Sequence, residues 1–200
     1  STGNNACIVK GGHYRDLYSY VITPGASVHF TGGNVGQDYY ANADYLNQYP
    51  NDPYALNSLA YLKTEAGDKA GAISIYKIVV QRSDAAAYSW YNLGFLQEEV
   101  GEIEDAEFSF RKALNLDQKM DLAWYGLGLT LIQQRRFEEA IKALKKNTQL
   151  QPMSPYGWYQ LARVYVDRQE PEEAVKIIRH LKDFEPKFAK QLERETGLTV

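Results

Sequence analysis

The apolar positions of this chain repeat with a fixed period of about 34 residues over most of its length. Trp90, Trp124 and Trp158 stand at this spacing, and each opens the pattern Trp-x-x-Leu followed by a small residue. An alanine follows sixteen residues after each tryptophan. A fixed period of this length is typical of stacked copies of one supersecondary unit, because a single copy cannot bury its apolar face alone.

Within each period the pattern predicts two helices joined by a short turn. The turn contains Gly67 in the first unit and Gly101 in the second, while Arg135 and Gln169 occupy the same slot in the third and fourth. This slot suits a residue with positive φ that ends the first helix. Glycine adopts this conformation freely, whereas Arg135 and Gln169 adopt it at some cost in backbone energy. Four units follow one another without insertion or deletion: residues 53–86, 87–120, 121–154 and 155–188.

The two flanks depart from the period. Residues 1–36 are divided by glycine and proline into short pieces, and the turn signal Pro24-Gly25 indicates a short hairpin over 18–30. An irregular arm that is ordered only by packing is the alternative interpretation. Residues 37–50 are predicted to form a helix that caps the N-terminal end of the stack. Residues 187–200 are predicted to form a capping helix at the other end.

The units resemble the tetratricopeptide repeat family over residues 53–188. The family pattern asks for tryptophan, leucine and a small residue in the first helix and for alanine in the second. Asn147 departs from it, because it replaces a small apolar residue late in a second helix. The resemblance implies an all-α, right-handed superhelical solenoid of antiparallel helix pairs. The tryptophan slot reads Leu56, Trp90, Trp124 and Trp158, and the alanine slot reads Ala72, Ala106, Ala140 and Ala174.

The resemblance also implies that the first helices line a concave groove for a partner segment, while the tryptophans lie in the seams between hairpins. The lining is mostly aromatic and aliphatic with carboxylates along one side, which favours a protein or peptide partner that is apolar with some basic residues. Only Asn92 matches the carboxylate clamp of the chaperone-binding members, so that partner class is disfavoured. The inward slots are Tyr54, Asn57, Tyr61, Tyr88, Tyr91, Phe95, Glu98, Tyr125, Leu129, Ile132, Tyr156, Tyr159 and Arg163.

Composition and charge narrow the function further. A net charge of −3 argues against general nucleic-acid binding, which needs a basic stripe. Lys142, Lys145 and Lys146 form only a small basic strip on a second helix, interpreted as a solvated convex face. One cysteine and three scattered histidines give no metal-ligand spacing, no catalytic triad order or cofactor loop is present, and we expect no enzyme activity. No apolar run approaches the ~18 residues of a membrane helix, so direct membrane insertion is not expected.

Three functions remain open at this level. The first is an interaction scaffold that binds a partner segment in the groove. The second is self-assembly through the groove or the ends into a homo-oligomer. The third is an interaction module of a larger enzyme or of a membrane-anchored assembly factor. A single cysteine favours the cytoplasm, and export or anchoring through a removed segment stays open. The apolar arm residues around Tyr18 could also fill the groove.

The repeat register makes two stability predictions. Replacing Ala140 by leucine overpacks a helix crossing and should cost about 1–3 kcal/mol. Replacing Trp124 by alanine leaves a cavity at a seam and should cost roughly 3–5 kcal/mol. Thermal unfolding of the two variants measures both costs, and parent-like unfolding of both would show that the register is wrong.

Overall fold

The computed structural model describes residues 46–200, and it confirms the all-α class. The predicted arm over 1–36 with its hairpin 18–30, and most of the predicted helix 37–50, lie outside the described residues. Residues 46–48 are helical. The nine helices with complete bounds in residues 46–200 are α1 (Pro53–Glu65), α2 (Lys69–Val79), α3 (Ala87–Val100), α4 (Ile103–Leu116), α5 (Asp121–Gln133), α6 (Phe137–Leu150), α7 (Pro155–Asp167), α8 (Pro171–Phe184) and α9 (Pro186–Thr196).

The described residues divide into two compact units, one that ends at Leu96 and one that begins at Gln97, each with its own packing. Each of the four predicted repeats contains two helices in succession: α1 and α2, α3 and α4, α5 and α6, and α7 and α8. The exact bounds of the repeats stay a prediction. Two helix starts show why these residues begin a helix. Asp52 caps α1 by accepting a hydrogen bond from the Ala55 amide at 2.8 Å, and Pro171 is the first residue of α8, where its missing N–H does little harm.

In the first unit, α1 packs against α2 through small residues. Ala60 and Ala72 are both fully buried, which allows the two helices to approach closely. The phenol of Tyr76 is buried nearby, and its hydroxyl accepts a hydrogen bond from Asn92 Nδ2 at 3.1 Å. The core of this unit therefore pairs a buried phenol oxygen with an amide donor rather than leaving it unsatisfied.

In the second unit, α5 lies between α4 and α6 and makes room for both. A Cβ at Gly126 would lie 2.5 Å from the ring of Phe110 on α4. A Cβ at Gly128 would lie 2.8 Å from Leu144 on α6. Two glycines on one helix thus admit a large side chain from each neighbour. The alanine slot is equally tight, since Ala106, Ala140 and Ala174 are all fully buried.

The tryptophans of the second unit hold the loops between hairpins. Trp124 Nε1 donates to the carbonyl oxygen of Gln118, and Trp158 Nε1 donates to that of Pro152, both at 2.9 Å. Each carbonyl lies six residues before its tryptophan, in the loop that joins one hairpin to the next. The predicted seam position is confirmed for these two residues. Each indole N–H thus donates to a loop carbonyl oxygen that lies outside the hydrogen bonds of any helix.

The predicted left-handed slot at the turn inside each hairpin is confirmed in all four repeats. Gly67 and Gly101 have φ angles of 81° and 86°, while Arg135 and Gln169 have φ angles of 59° and 62°. The two side chains that replace glycine take the same backbone conformation. The turn geometry is therefore fixed by the packing of the two helices, which overrides the local cost.

A cluster of ion pairs joins α4 to α6. Arg136 lies 2.7 Å from Glu107 and 2.7 Å from Glu139, and Arg111 lies 2.8 Å from Glu107. Burial raises the pKa of Glu107, but hydrogen bonds from Gln134 and Arg111 outweigh it and hold that pKa below its usual value. The cluster thus joins the middle of α4, through Glu107, to the first turn of α6, through Glu139.

Asn147, the exception to the repeat pattern, has a structural reason. Its side chain is buried, and Nδ2 donates to the carbonyl oxygen of Asp121 at 2.9 Å. A Cβ at Gly157 would lie 2.0 Å from Asn147 Oδ1, so Gly157 provides the space that the amide fills. The amide therefore links α6 to the start of α5 while it packs directly against α7.

We predict that Asn147 and Gly157 are energetically coupled. Gly157→Ala should cost about 1–3 kcal/mol by overpacking, and Asn147→Ala about 1–2 kcal/mol through the lost hydrogen bond. In the double variant the new methyl group enters the space that the amide leaves, so its cost should be smaller than the sum. Urea unfolding of the four proteins measures this coupling. Additive costs would contradict the contact.

Candidate functional site

The candidate site of the second unit lies on the face formed by α5 and α7, with the end of α3. We call it the first-helix face. Its members recur at the repeat spacing: Leu129 corresponds to Arg163, and Tyr125 corresponds to Tyr159. Helices α5 and α7 contact each other directly, so these positions form neighbouring rows. The predicted inward residues of this unit are Glu98, Tyr125, Leu129, Ile132, Tyr156, Tyr159 and Arg163.

On α5 the predicted residues fall into two groups. Tyr125 is only 8% exposed, which leaves little of its ring for a partner. Leu129 and Ile132 are partly buried and keep apolar surface accessible. Glu98, at the end of α3, is also 8% exposed, and its carboxylate accepts a hydrogen bond from Gln133 Nε2 at 2.7 Å. The accessible part of α5 is therefore aliphatic, and the nearby carboxylate is already hydrogen-bonded.

On α7 the predicted tyrosines contact the last helix of the chain. The Tyr159 hydroxyl donates to Glu195 Oε2 at 2.5 Å and accepts from Gln191 Nε2 at 3.2 Å. Phe188 packs edge-on against both rings, with centroid distances of 5.3 Å to Tyr156 and 5.9 Å to Tyr159. Helix α9 thus covers the end of the face and leaves Tyr156 and Tyr159 only partly accessible.

Arg163 is the exposed positive charge of this face. Its guanidinium carbon lies 5.8 Å from the centroid of the Tyr159 ring, a cation–π contact that holds the side chain over the aromatic surface. The residue remains exposed to solvent. Asp167, four residues further along α7, is also exposed. The accessible face therefore combines an aliphatic patch on α5 with one positive and one negative group on α7.

The contact between Tyr159 and Glu195 shifts both titrations. Burial raises the pKa of the Tyr159 phenol, and the neighbouring carboxylate raises it further. The hydrogen bond from Tyr159, followed by that from Gln191, lowers the pKa of Glu195. The carboxylate is thus stabilised in its ionised form while the phenol remains protonated.

The first unit, described by itself, contains the other predicted residues. Tyr54 on α1 is 48% exposed, and Tyr61 and Tyr88 are partly buried. Tyr91 and Phe95 on α3 stack with a centroid distance of 6.4 Å. Asn57 is partly buried, and its Oδ1 accepts a hydrogen bond from Ser89 Oγ at 3.0 Å. Tyr54 is therefore the most accessible of these side chains.

One relation between repeats was missed in the sequence. The hydrogen bonds Ser89–Asn57 and Gln191–Tyr159 both join residues that are 32 apart. In both pairs, the fifth residue of one repeat bonds to the third residue of the following repeat period, and both residues lie on first helices or, for Gln191, on α9. The signal was available in the repeat register. It indicates that this slot belongs partly to the seam between hairpins and only partly to the groove.

The described residues hold no metal site and no membrane span. Within residues 46–200, no group of histidine, cysteine, aspartate and glutamate side chains has the arrangement that would hold a metal ion. In the same range, no helix is both long enough and apolar enough to cross a bilayer.

Comparison with known proteins gives the class of this fold. Residues 99–181 match the family model of the anaphase-promoting complex, cyclosome, subunit 3. Curated protein sequences give no match. Together with the paired helices, this match defines the chain as a helical-repeat protein.

Solved structures identify the repeat. A crystal structure of MamA has 24% sequence identity and a TM-score of 0.74, and the match covers 80% of this chain and 93% of MamA. MamA from Desulfovibrio magneticus RS-1 has 18% identity and a TM-score of 0.69, with 84% and 90% covered. YrrB has 14% identity and a TM-score of 0.72, with 80% and 84% covered. The resemblance to the tetratricopeptide repeat family is confirmed, and the chain has the tetratricopeptide repeat fold.

We predict that Tyr159→Phe raises the pKa of Glu195 towards its ordinary value. Because the folded-state pKa of Glu195 is lowered, its contribution to stability is present above the ordinary pKa and is lost as the pH falls through the folded value. The variant should therefore lose stability at neutral pH and differ less from the parent in acid. NMR titration of the Glu195 carboxyl carbon measures the shift directly. Tyr165→Phe on the same helix is the control, and an unchanged Glu195 titration in Tyr159→Phe would refute the contact.

Proposed function

We propose that the chain is a non-enzymatic interaction scaffold whose first-helix face in the second unit binds a segment of a partner protein. The observation that carries this proposal is the division of the face between buried and accessible residues. Tyr125 and Glu98 are each only 8% exposed, whereas Leu129, Ile132 and Arg163 keep accessible surface. Arginine is among the residue types that contribute most to binding energy at interfaces, and accessible aliphatic surface gains free energy when a partner removes it from water.

The face indicates the chemistry of the partner segment. Leu129 and Ile132 are three residues apart and project from the same side of α5, so they suit one apolar side chain or a short apolar stretch. Arg163 offers a guanidinium to a carboxylate, and Asp167 offers a carboxylate to a lysine or arginine. We therefore expect an apolar segment that carries both an acidic and a basic residue. This retains the basic residue expected from the sequence and adds an acidic one.

A non-catalytic role is supported by the positions of the acidic residues. Glu138 and Glu139 lie in the first turn of α6, and Glu172 and Glu173 lie in the first turn of α8. Carboxylates at these positions stabilise the helix dipole. Glu139 is also paired with Arg136, and Glu173 with Lys176. These carboxylates therefore have a structural role that requires no catalysis.

The known fold relatives support the class of function. YrrB, which shares the fold, is described as a tetratricopeptide repeat protein with an unusual peptide-binding site. A scaffold built from the same hairpins can present the same kind of surface. The contacts that would select a partner are particular to this chain, because the two sequences are only 14% identical.

A matched pair of double variants tests the proposal. Leu129→Gln with Arg163→Glu changes the first-helix face. Leu150→Gln with Arg179→Glu makes the same two substitutions on the second helices α6 and α8. Affinity capture from the native extract, followed by mass spectrometry, should yield partners that bind the parent and the second variant but not the first. Helical circular dichroism of all three proteins checks that the fold is retained.

Two results would count against the proposal. Equal capture by both variants would show that the partner binds elsewhere. Capture of the chain itself as the only face-dependent partner would favour the homo-oligomer, and sedimentation over a concentration series would then give its size.

A further inference from the structure

The outer face of α6 combines lysines with exposed apolar side chains. Lys142, Lys146 and Leu150 follow one another at steps of four residues, so they form one row about 12 Å long. Lys145 begins a second row, which Met153 continues just beyond the helix. All five residues are exposed: Met153 is 68% exposed and Leu150 is 36% exposed. Basic groups thus occupy the middle of this face and apolar groups occupy its C-terminal end.

The charge of this face is not neutralised locally. Residues 140–154 contain three lysines and no aspartate or glutamate. Among the described residues, neither Lys142 nor Lys146 forms an ion pair. Lys145 Nζ lies 5.7 Å from the centroid of the Tyr165 ring, a contact that leaves its charge in place. Two carboxylates stand at the start of α6: Glu139 is held by Arg136 and Arg111, and Glu138, four residues before Lys142, lies 3.9 Å from Arg168. The lysines of this face therefore project a local positive potential.

Helix α4 carries related chemistry one repeat earlier. Lys112 and Leu116 correspond to Lys146 and Leu150 at the repeat spacing. Leu116 is 57% exposed, and Lys112 is exposed as well. A lysine followed by an exposed leucine four residues later is thus repeated on two consecutive second helices. Helix dipoles favour lysine near these helix ends, but they give no reason for an exposed leucine beside it.

We propose that the outer face of α6 rests on an anionic phospholipid surface. Lysine side chains extend their ammonium groups to the level of the head groups, where anionic lipids attract them. Leu150 and Met153 then enter the boundary between head groups and acyl chains, which removes their apolar surface from water. A nucleic acid backbone would pair with the lysines but would leave these two side chains in water. This site is on a second helix and does not depend on the proposed partner face.

Vesicle sedimentation of the full chain tests this proposal. The probes are vesicles of phosphatidylcholine alone and vesicles with about one-third phosphatidylserine. The parent protein should bind the phosphatidylserine vesicles and remain free with phosphatidylcholine alone. Lys142→Glu with Lys146→Glu should reduce the partition coefficient at least about tenfold, since each lysine near the surface contributes to attraction. Leu150→Ser with Met153→Ser should also weaken binding and should leave its dependence on salt unchanged.

A charge-matched variant on α9 is the control. Lys190→Glu with Arg194→Glu has the same change in net charge and the same spacing of four residues, and both residues are exposed. It should alter the partition coefficient by less than about twofold at physiological salt, because distant charges are screened. Equal loss in the two charge variants, equal binding to both kinds of vesicle, or no vesicle binding would overturn the proposal. Binding to duplex DNA without binding to vesicles would also overturn it and would assign the lysines to nucleic acid.

Discussion

Close approach between helices, made possible by small side chains, is the constraint on which this structure depends. A leucine or phenylalanine can pack onto the neighbouring helix only where that helix presents hydrogen or methyl in place of a larger group. Gly126 and Gly128 provide this space on α5, and Ala140 is enclosed with no exposed surface. The interaction is short in range and requires no particular charge. It can therefore be repeated at every hairpin while the exposed residues vary freely.

Several residues that the sequence assigned to the partner groove instead pack at the seams between neighbouring hairpins. Tryptophan indoles hold the loops, and residues at the fifth position of a first helix reach across to the next first helix. Asn57 and Tyr159 both make such contacts, and Tyr125 is almost fully enclosed. These contacts align one hairpin against its neighbour. The surface that remains for a partner is correspondingly narrower, and in the second unit it is centred on Leu129, Ile132 and Arg163.

The sequence was sufficient for the fold because the fold depends on spacing. The fixed repeat period placed the helices and the left-handed turn at Arg135 and Gln169, even though neither residue favours that conformation. The candidate site depends on something the period does not contain, namely the side chain opposite each slot. Tyr159 occupies an inward slot by register, yet Glu195 and Phe188 decide how much of it is accessible. Similarly, Asn147 departs from the repeat pattern, and the sequence gives no reason for it. The structure gives the reason, because Gly157 leaves the space that the Asn147 amide fills.

Helix α9 has a consequence for how this architecture can change in length. Leu192 lies one repeat period after Trp158 and is fully buried, so α9 uses the same packing position as the first helix of a hairpin. The face of the last hairpin, α7 and α8, on which α9 packs therefore has the pattern of any other hairpin face. This face would accept another hairpin of the same pattern as readily as it accepts α9. Genetic duplication or loss of one whole module inside the array would keep the small residues at the helix crossings in register, although contacts particular to one pair of repeats, such as Asn147 with Gly157, would change. The length of the binding surface can thus evolve separately from the chemistry of its individual positions.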